Sequence, residues 1–247
     1  MNFLLLHPHE LRSDGRAVLR DRRADHVRTI LRAEAGQTLR AGVVGGGLGR
    51  AVVLVVDGEH VEVALSLGAT PPTTGDVLLL AVPRPKVLLR MLAHAAALGF
   101  AEIVLFRSWR VEKSHLYSTA MAEAAQRDQL LLGLEQAGRT ALPTVRFFPL
   151  FKPMVEDALP NLALPAQRFV AHPSAAIATG ELTLARARPF ALALGPDGGF
   201  LPYEVEQLAQ AGFVPISCGP HPLRTETALA VLQGQLDLLR GRASVLR

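Results

Sequence analysis

The sequence predicts an α/β protein in two parts: a small β-rich domain over residues 1–70, then a larger domain over residues 75–247 built on a parallel sheet. Three observations predict it. Short apolar runs rich in β-branched residues occur within the first 67 positions. From residue 77 onward, apolar runs of strand length alternate with stretches of helical periodicity. Between the two lies ATPPTTGD (69–76), where Pro, Thr and Gly follow a strand and mark a boundary. With 49% apolar and 19% charged residues, a chain of 247 residues can bury a substantial core and does not read as disordered.

In the first domain, FLLL (3–6), AVVLVV (51–56) and VEVALSL (61–67) have strand length and β-branched content. Residues 25–32 read as one short helix, which Asp25 can cap and to which Val27, Ile30 and Leu31 give an apolar face. The stretch GVVGGGLGR (42–50) lacks the Lys-Ser/Thr ending of a phosphate loop and precedes a strand, so it reads as a hairpin turn. In the second domain the expected order is strand 77–82, helix 87–98, strand 103–106 and a longer helix 115–136. Further strands are expected over 145–150, 169–171, 190–194 and 213–217, with helices over 203–210 and 225–240. Ala228, Leu229, Leu232, Leu236 and Leu239 give the last helix a face for a core or a partner.

Two loops carry the strongest signal. LGPDGGF (194–200) follows the apolar run FALAL, and CGPHPLRTETA (218–228) follows FVPIS; each leads into a helical pattern. Glycines at 195, 198, 199 and 219 let backbone approach a ligand, and Pro196, Pro220 and Pro222 stiffen the same loops. Rigid loops at the carboxyl ends of strands are where an open α/β sheet holds its ligand. Ordinary strand-to-helix turns would look similar one at a time, but a turn does not need the run Arg224-Thr225-Glu226-Thr227 at a helix start.

LGPDGGF followed by Glu204, together with LRTETA, resembles the signature of the RsmE group of SPOUT methyltransferases. The resemblance implies methylation of N3 of a uridine in small-subunit (16S) ribosomal RNA with S-adenosylmethionine as cofactor. It also implies the architecture: an N-terminal PUA-like β-barrel, then a SPOUT α/β domain with a C-terminal trefoil knot that binds the cofactor, in a homodimer. On this resemblance the cofactor would line against Ala171, His172 and Pro173; Leu194, Gly195, Pro196, Gly198 and Gly199; and Ser217, Cys218, Gly219, Leu223 and Thr225. A loop histidine without contact is the competing reading for His172.

Uridine N3 is a weakly acidic imide nitrogen, so its attack on a methyl group is helped by a general base or by a cation near the developing anion. Arg224 is the candidate cation. For the base, Glu226 and Asp197 both qualify, although an acid at 226 also suits the first turn of a helix. Asp197 stands where the family more often has Glu.

Net charge +4 and a pI near 9.8 fit a polyanionic partner. A bias of 23 arginines against 3 lysines also follows from the base composition of a genome. Seven arginines, among them Arg12, Arg22, Arg23, Arg28 and Arg32, crowd the first 32 residues against four acids. Guanidiniums grip phosphate well, but Asp14, Asp21 and Asp25 can also pair with them on a solvated face. The segment DHVRTILRAEAGQTLRAGVVGGG (25–47) resembles the family's N-terminal barrel, with His26, Leu31, Arg32 and Gly36 at matching positions. EQAGRT (135–140) resembles a family motif that makes Arg139 an RNA or active-site contact, and Lys86 matches a family lysine. An arginine at 139 also suits a helix C-terminus. HAAALGF (94–100) departs from the family by placing Ala97 where an acid stands. Arg107, Arg110 and Lys113 surround Trp109, which can stack on a base or lie buried.

Other classes find no support. No cluster of His, Cys and acids has metal spacing, and no Gly-x-Ser-x-Gly elbow occurs. The opening MNFLLLHPHE does not read as a signal peptide, no apolar run approaches the ~20 residues of a membrane span, and the single cysteine fits a cytoplasmic location. Two alternatives to the main reading are another SPOUT target, on a ribose or in tRNA, and an RNA-binding assembly factor without catalysis.

Overall fold

The computed structural model describes residues 3–241, so the expected domain limits at residues 1 and 247 lie outside the described residues. Its first part consists of β1 (Phe3–Leu6), β2 (Arg16–Leu19), the one-turn helix α1 (Arg22–Asp25), β3 (Thr38–Val43), β4 (Leu48–Val56) and β5 (Val61–Leu67). These strands make a sheet in the order β1-β3-β4-β5-β2, with β1 parallel to β3 and the other pairs antiparallel. Alternation drives it: Ala51 and Val53 face inward from β4 while Val52 and Val55 face out. Leu4, Leu6, Leu19, Val27, Val61 and Val63 complete a core of its own.

The second part runs β6 (Val77–Ala81), α2 (Pro85–Leu98), β7 (Glu102–Phe106), α3 (Lys113–Leu116), α4 (Glu123–Ala137), β8 (Thr144–Phe148) and α5 (Phe151–Pro153). It continues with β9 (Gln167–Ala171), β10 (Ile177–Ala178), β11 (Phe190–Leu194), α6 (Pro202–Gln210), β12 (Val214–Ser217) and α7 (Thr225–Leu239). The seven strands form one sheet, β10-β12-β9-β11-β6-β7-β8, in which every pairing is parallel. VLLLA in β6 and FALAL in β11 are buried throughout, as strands covered on both faces require. Leu229, Leu232 and Leu236 of α7 join the same core, against which α2 and α4 also pack.

Several expectations need correction. The early helix begins at Arg22 and is capped by Asp21, whose carboxylate accepts from the Arg23 amide; Asp25 lies inside it, and the turn continues as a wider π-type coil over His26–Ile30. The long helix expected over 115–136 is broken. The Ser118 hydroxyl and amide both donate to the His115 carbonyl, which a continuing helix would offer to residue 119, and α4 restarts at Glu123. The last strand of the sheet stops at Phe148, before Pro149. Residues 42–50 do form a hairpin: β3 and β4 pair Gly42 with Leu48 around the turn.

Two sets of polar contacts tie distant stretches of the chain together. The Gly45 amide donates to the Thr140 carbonyl at 2.8 Å and the Thr140 hydroxyl donates to the Gly46 carbonyl at 2.8 Å, joining the hairpin to the end of α4. Just past α7, Arg240 reaches Asp76 through two bonds of 2.6 and 2.7 Å, with both side chains essentially inaccessible to solvent. The guanidinium also lies 4.4 Å from the Phe190 ring centroid. Burial opposes the Arg240 charge, but Asp76 and Asp237 outweigh it, so its pKa is raised.

Candidate active site

Strand β9 lies between β11 and β12, so the carboxyl ends of the three strands, at Ala171, Leu194 and Ser217, sit side by side. The loops that leave them gather around a cavity of about 220 Å³ that opens to solvent. The sequence resemblance placed thirteen residues here, and twelve of them line this one cavity: 171–173, 194–196, 198, 199, 218, 219, 223 and 225. Ser217 does not. Its carbonyl accepts the Thr179 hydroxyl at 2.8 Å and holds the neighbouring segment instead. Asp197, Phe200, Ile216, His221, Pro222 and Ala228 complete the wall; of these, Phe200, Ile216 and His221 lie within the quoted strand runs and loop motifs but were not singled out by the sequence.

The loops are tied to one another. The Thr225 hydroxyl donates to the Gly195 carbonyl at 3.4 Å, the Gln235 side-chain Nε2 to the Cys218 carbonyl at 3.2 Å, and the His172 backbone amide to the Ile216 carbonyl at 2.9 Å. His172 Nδ1 accepts from the Ser174 amide at 3.3 Å, which in the neutral ring leaves Nε2 to carry the proton. Gly199 (φ +70°) and Gly219 (φ +151°) adopt backbone conformations that a side chain would strain.

Glu204 organises the site from behind. Only 2% exposed, its carboxylate accepts the Leu201 amide at 2.9 Å, the Trp109 amide at 2.9 Å and the Ser108 hydroxyl at 3.3 Å. It therefore joins the 195–201 loop to the loop after β7, where Arg110 also donates to the Gly198 carbonyl. Trp109 itself is 79% exposed, which settles against a buried role. Replacing Glu204 with alanine orphans these donors and is expected to lower stability by about 1–3 kcal/mol, read by chemical denaturation. A loss of under half a kcal/mol would show that the carboxylate does not hold the loops together.

The sequence model of the RNA methyltransferase domain matches residues 73–236, about two thirds of the chain. The chain belongs to this family. A relative from Mycobacterium tuberculosis named ribosomal RNA small subunit methyltransferase E is 29% identical over 88% of this chain and 84% of its own. One of the same name from Treponema pallidum is 28% identical over 92% and 87%. Among solved structures, a ribosomal RNA small subunit methyltransferase E from Neisseria gonorrhoeae, bound to S-adenosyl methionine, superposes with a TM-score of 0.73. It is 19% identical, covering 96% of this chain and 98% of that one. A methyltransferase from Legionella pneumophila in complex with the same cofactor gives 0.71 at 23% identity, covering 98% and 97%. These two likenesses establish the fold.

Inside the span matched by the RNA methyltransferase family, a second and wider cleft of about 870 Å³ adjoins the cavity and shares Asp197, Pro222, Leu223 and Thr225 with it. Arg84, Lys86, Arg90, His115 and Arg224 line it. Arg84 pairs with Asp197 at 2.7 Å and Arg90 with Glu226 at 2.9 Å. Both carboxylates considered as bases are thus engaged by arginine. Arg224, exposed at the start of α7, makes no ion pair among the described residues.

The arginines expected to meet RNA divide sharply. Arg12 and Arg32 are exposed, and Arg28 is held by Asp25 and by the Asp57 carbonyl at 2.8 Å. Arg23 is a correction: it is 8% exposed and donates to Glu10, Asp21 and the Leu5 carbonyl, so it is a structural residue. Burial pushes the Glu10 and Asp21 carboxyls up, yet the bonds from Arg23 outweigh it and leave both below their usual range. Arg22 is spent on both oxygens of Glu135, at 2.7 and 2.9 Å. Arg139 is exposed and stands apart from the cleft. Its Nε donates to the Ala97 carbonyl at 3.1 Å at the end of α2, roughly 20 Å from the end of that helix that lines the cleft. Among the described residues no group of His, Cys and acids is arranged to hold a metal ion, and no helix is long and apolar enough to cross a membrane.

Proposed function

We propose that this chain is an S-adenosylmethionine-dependent methyltransferase that modifies N3 of a uridine in small-subunit (16S) ribosomal RNA. One observation carries the reading: a cavity walled by loop backbone shares a side with a basic cleft, so a small cofactor and a phosphodiester chain can meet across Leu223 and Thr225. The names of the mycobacterial and treponemal relatives support the ribosomal target, and the loop signature supports the N3 position.

The residues fit the cofactor. Leu194, Ile216, Leu223 and Ala228 offer apolar faces to an adenine ring, while loop backbone at Gly195, Gly199 and Gly219 offers polar groups at close range. When bound, the cofactor supplies a methyl group on a sulfonium, ready for in-line displacement. The protein supplies position and charge. As N3 gains the methyl its proton leaves, and Arg224 is placed to stabilise the negative charge on the imide. Glu226 keeps Arg90 at the cleft rim, and the open cleft passes the proton to solvent. Lys86, Arg84 and Arg90 attract the flanking phosphates, and Arg12, Arg28 and Arg32, on loops and the helical turn of the first part, offer further phosphate contacts.

The same reading assigns a PUA-like barrel to residues 1–70 and a SPOUT domain with a C-terminal trefoil knot to residues 75–247. The strand order supports the knot. Strand β12 lies beyond β9, yet the chain returns past β11 to pack α7 on α2 and to pair Arg240 with Asp76. A homodimer in the cytoplasm completes the proposal. To test it, the full chain is incubated with unmodified 16S ribosomal RNA and methyl-labelled S-adenosylmethionine, and the nucleosides are read by mass spectrometry. N3-methyluridine is expected. A label on a ribose hydroxyl or in tRNA would move the target, and no label in any RNA would leave an RNA-binding factor without catalysis.

A further inference from the structure

A separate pocket of about 260 Å³ lies where the first sheet meets α4. Phe3 and Leu4 of β1, Val27 and Leu31 from the helical turn, and Leu39 of β3 supply its apolar walls, and Arg22, Arg23 and His26 line it as well. Its carboxylate is Glu135, whose side chain is 8% exposed. Both carboxylate oxygens accept from one group, the Arg22 guanidinium, at 2.7 and 2.9 Å, and that guanidinium is itself 58% exposed. A buried acceptor pair is therefore served by a side chain that solvent can reach and a competitor can displace.

We infer that this pocket takes an unpaired guanine of the RNA partner, read by Glu135. Two side-by-side N–H donors are what the Arg22 fork presents, and guanine presents the same pattern at N1 and its 2-amino group. Adenine and cytosine each offer a single amino group on that edge, and uracil a single ring N–H. A carboxylate is acceptor-only, so it selects for paired donors. The leucine and phenylalanine walls receive the flat faces of the base, the usual mode by which single-stranded RNA is read. Arg22, once displaced, remains beside the entrance as a phosphate contact. The inference rests on the chain acting on RNA but not on the cofactor or the methylated position.

The test is fluorescence anisotropy with the full chain and labelled uridine pentamers that carry one central guanosine or one central adenosine, at near-physiological salt. The guanosine oligomer is expected to bind about tenfold more tightly. In Glu135→Gln, which cannot accept from both donors, the ratio falls to about one. In Arg22→Ala, where only the placeholder is lost, the preference is kept or grows. Equal binding of both oligomers by the parent chain overturns the proposal, as does a preference that survives Glu135→Gln or vanishes in Arg22→Ala. A chain that shows the preference yet transfers no methyl group would sink the methyltransferase reading and leave this one standing.

Discussion

An Asp76→Ala protein is expected to unfold with about 3–5 kcal/mol less free energy than the parent, because the change leaves the Arg240 guanidinium buried without its main counter-charge. Arg240 is 1% exposed and Asp76 is fully enclosed. Asp76 also accepts the Phe190 amide at 3.1 Å, so one substitution unsettles the start of β6, the start of β11 and the end of α7. Asn at 76 keeps an acceptor but not the charge, and falls between the two. A double replacement with leucine at 76 and methionine at 240 should recover much of the loss, since a buried pair is commonly matched by apolar residues of similar volume. Urea unfolding measures all four proteins. A change within about 0.5 kcal/mol in the alanine variant would mean that the pair does not secure the closing segment.

The second large effect is on turnover. Arg224→Ala is expected to lower kcat by about 10²–10³-fold, the range seen when a group aimed at developing charge is removed, while affinity for S-adenosylmethionine stays within about twofold of the parent. Arg84 and Arg90 are each bound to a carboxylate, whereas Lys86 and Arg224 make no ion pair among the described residues; of these two, Arg224 stands at the head of α7 between Leu223 and Thr225, which the cavity and the cleft share. Lysine at 224 retains the charge but loses the fork, so it restores part of the rate. Single-turnover assays and calorimetry on the same variants separate the two quantities. Unchanged turnover in the alanine variant would remove Arg224 from the chemistry; a lost cofactor would make it a binding residue instead.

The central sheet was legible in the sequence because parallel strands buried on both faces are written as unbroken apolar runs such as VLLLA and FALAL. The loop motifs were legible because glycine and proline mark them and little else competes there. The shorter pieces were not. Strand β2 is four residues, RAVL, and β3 carries Arg40 and Gly42 within it, so neither shows a clean alternation. The break at 117–122 depends on one serine turning its hydroxyl onto a carbonyl that the helix needed. Arginine roles were the hardest to read. The sequence gives Arg12 and Arg23 the same chemistry, but only the fold brings Glu10 and the Leu5 carbonyl to Arg23 and seals it from solvent. Arg139 is similar: only the fold shows that it sits on a carbonyl at the end of α2, away from the cleft.

A crystal structure of the chain grown with S-adenosylmethionine tests the account most directly. The adenosyl group is expected between the turns at 194–200 and 218–225, with its methyl directed toward Arg224 and the basic cleft. Density for the cofactor in the pocket beside Glu135, at any other place, or nowhere at saturating concentration would contradict it.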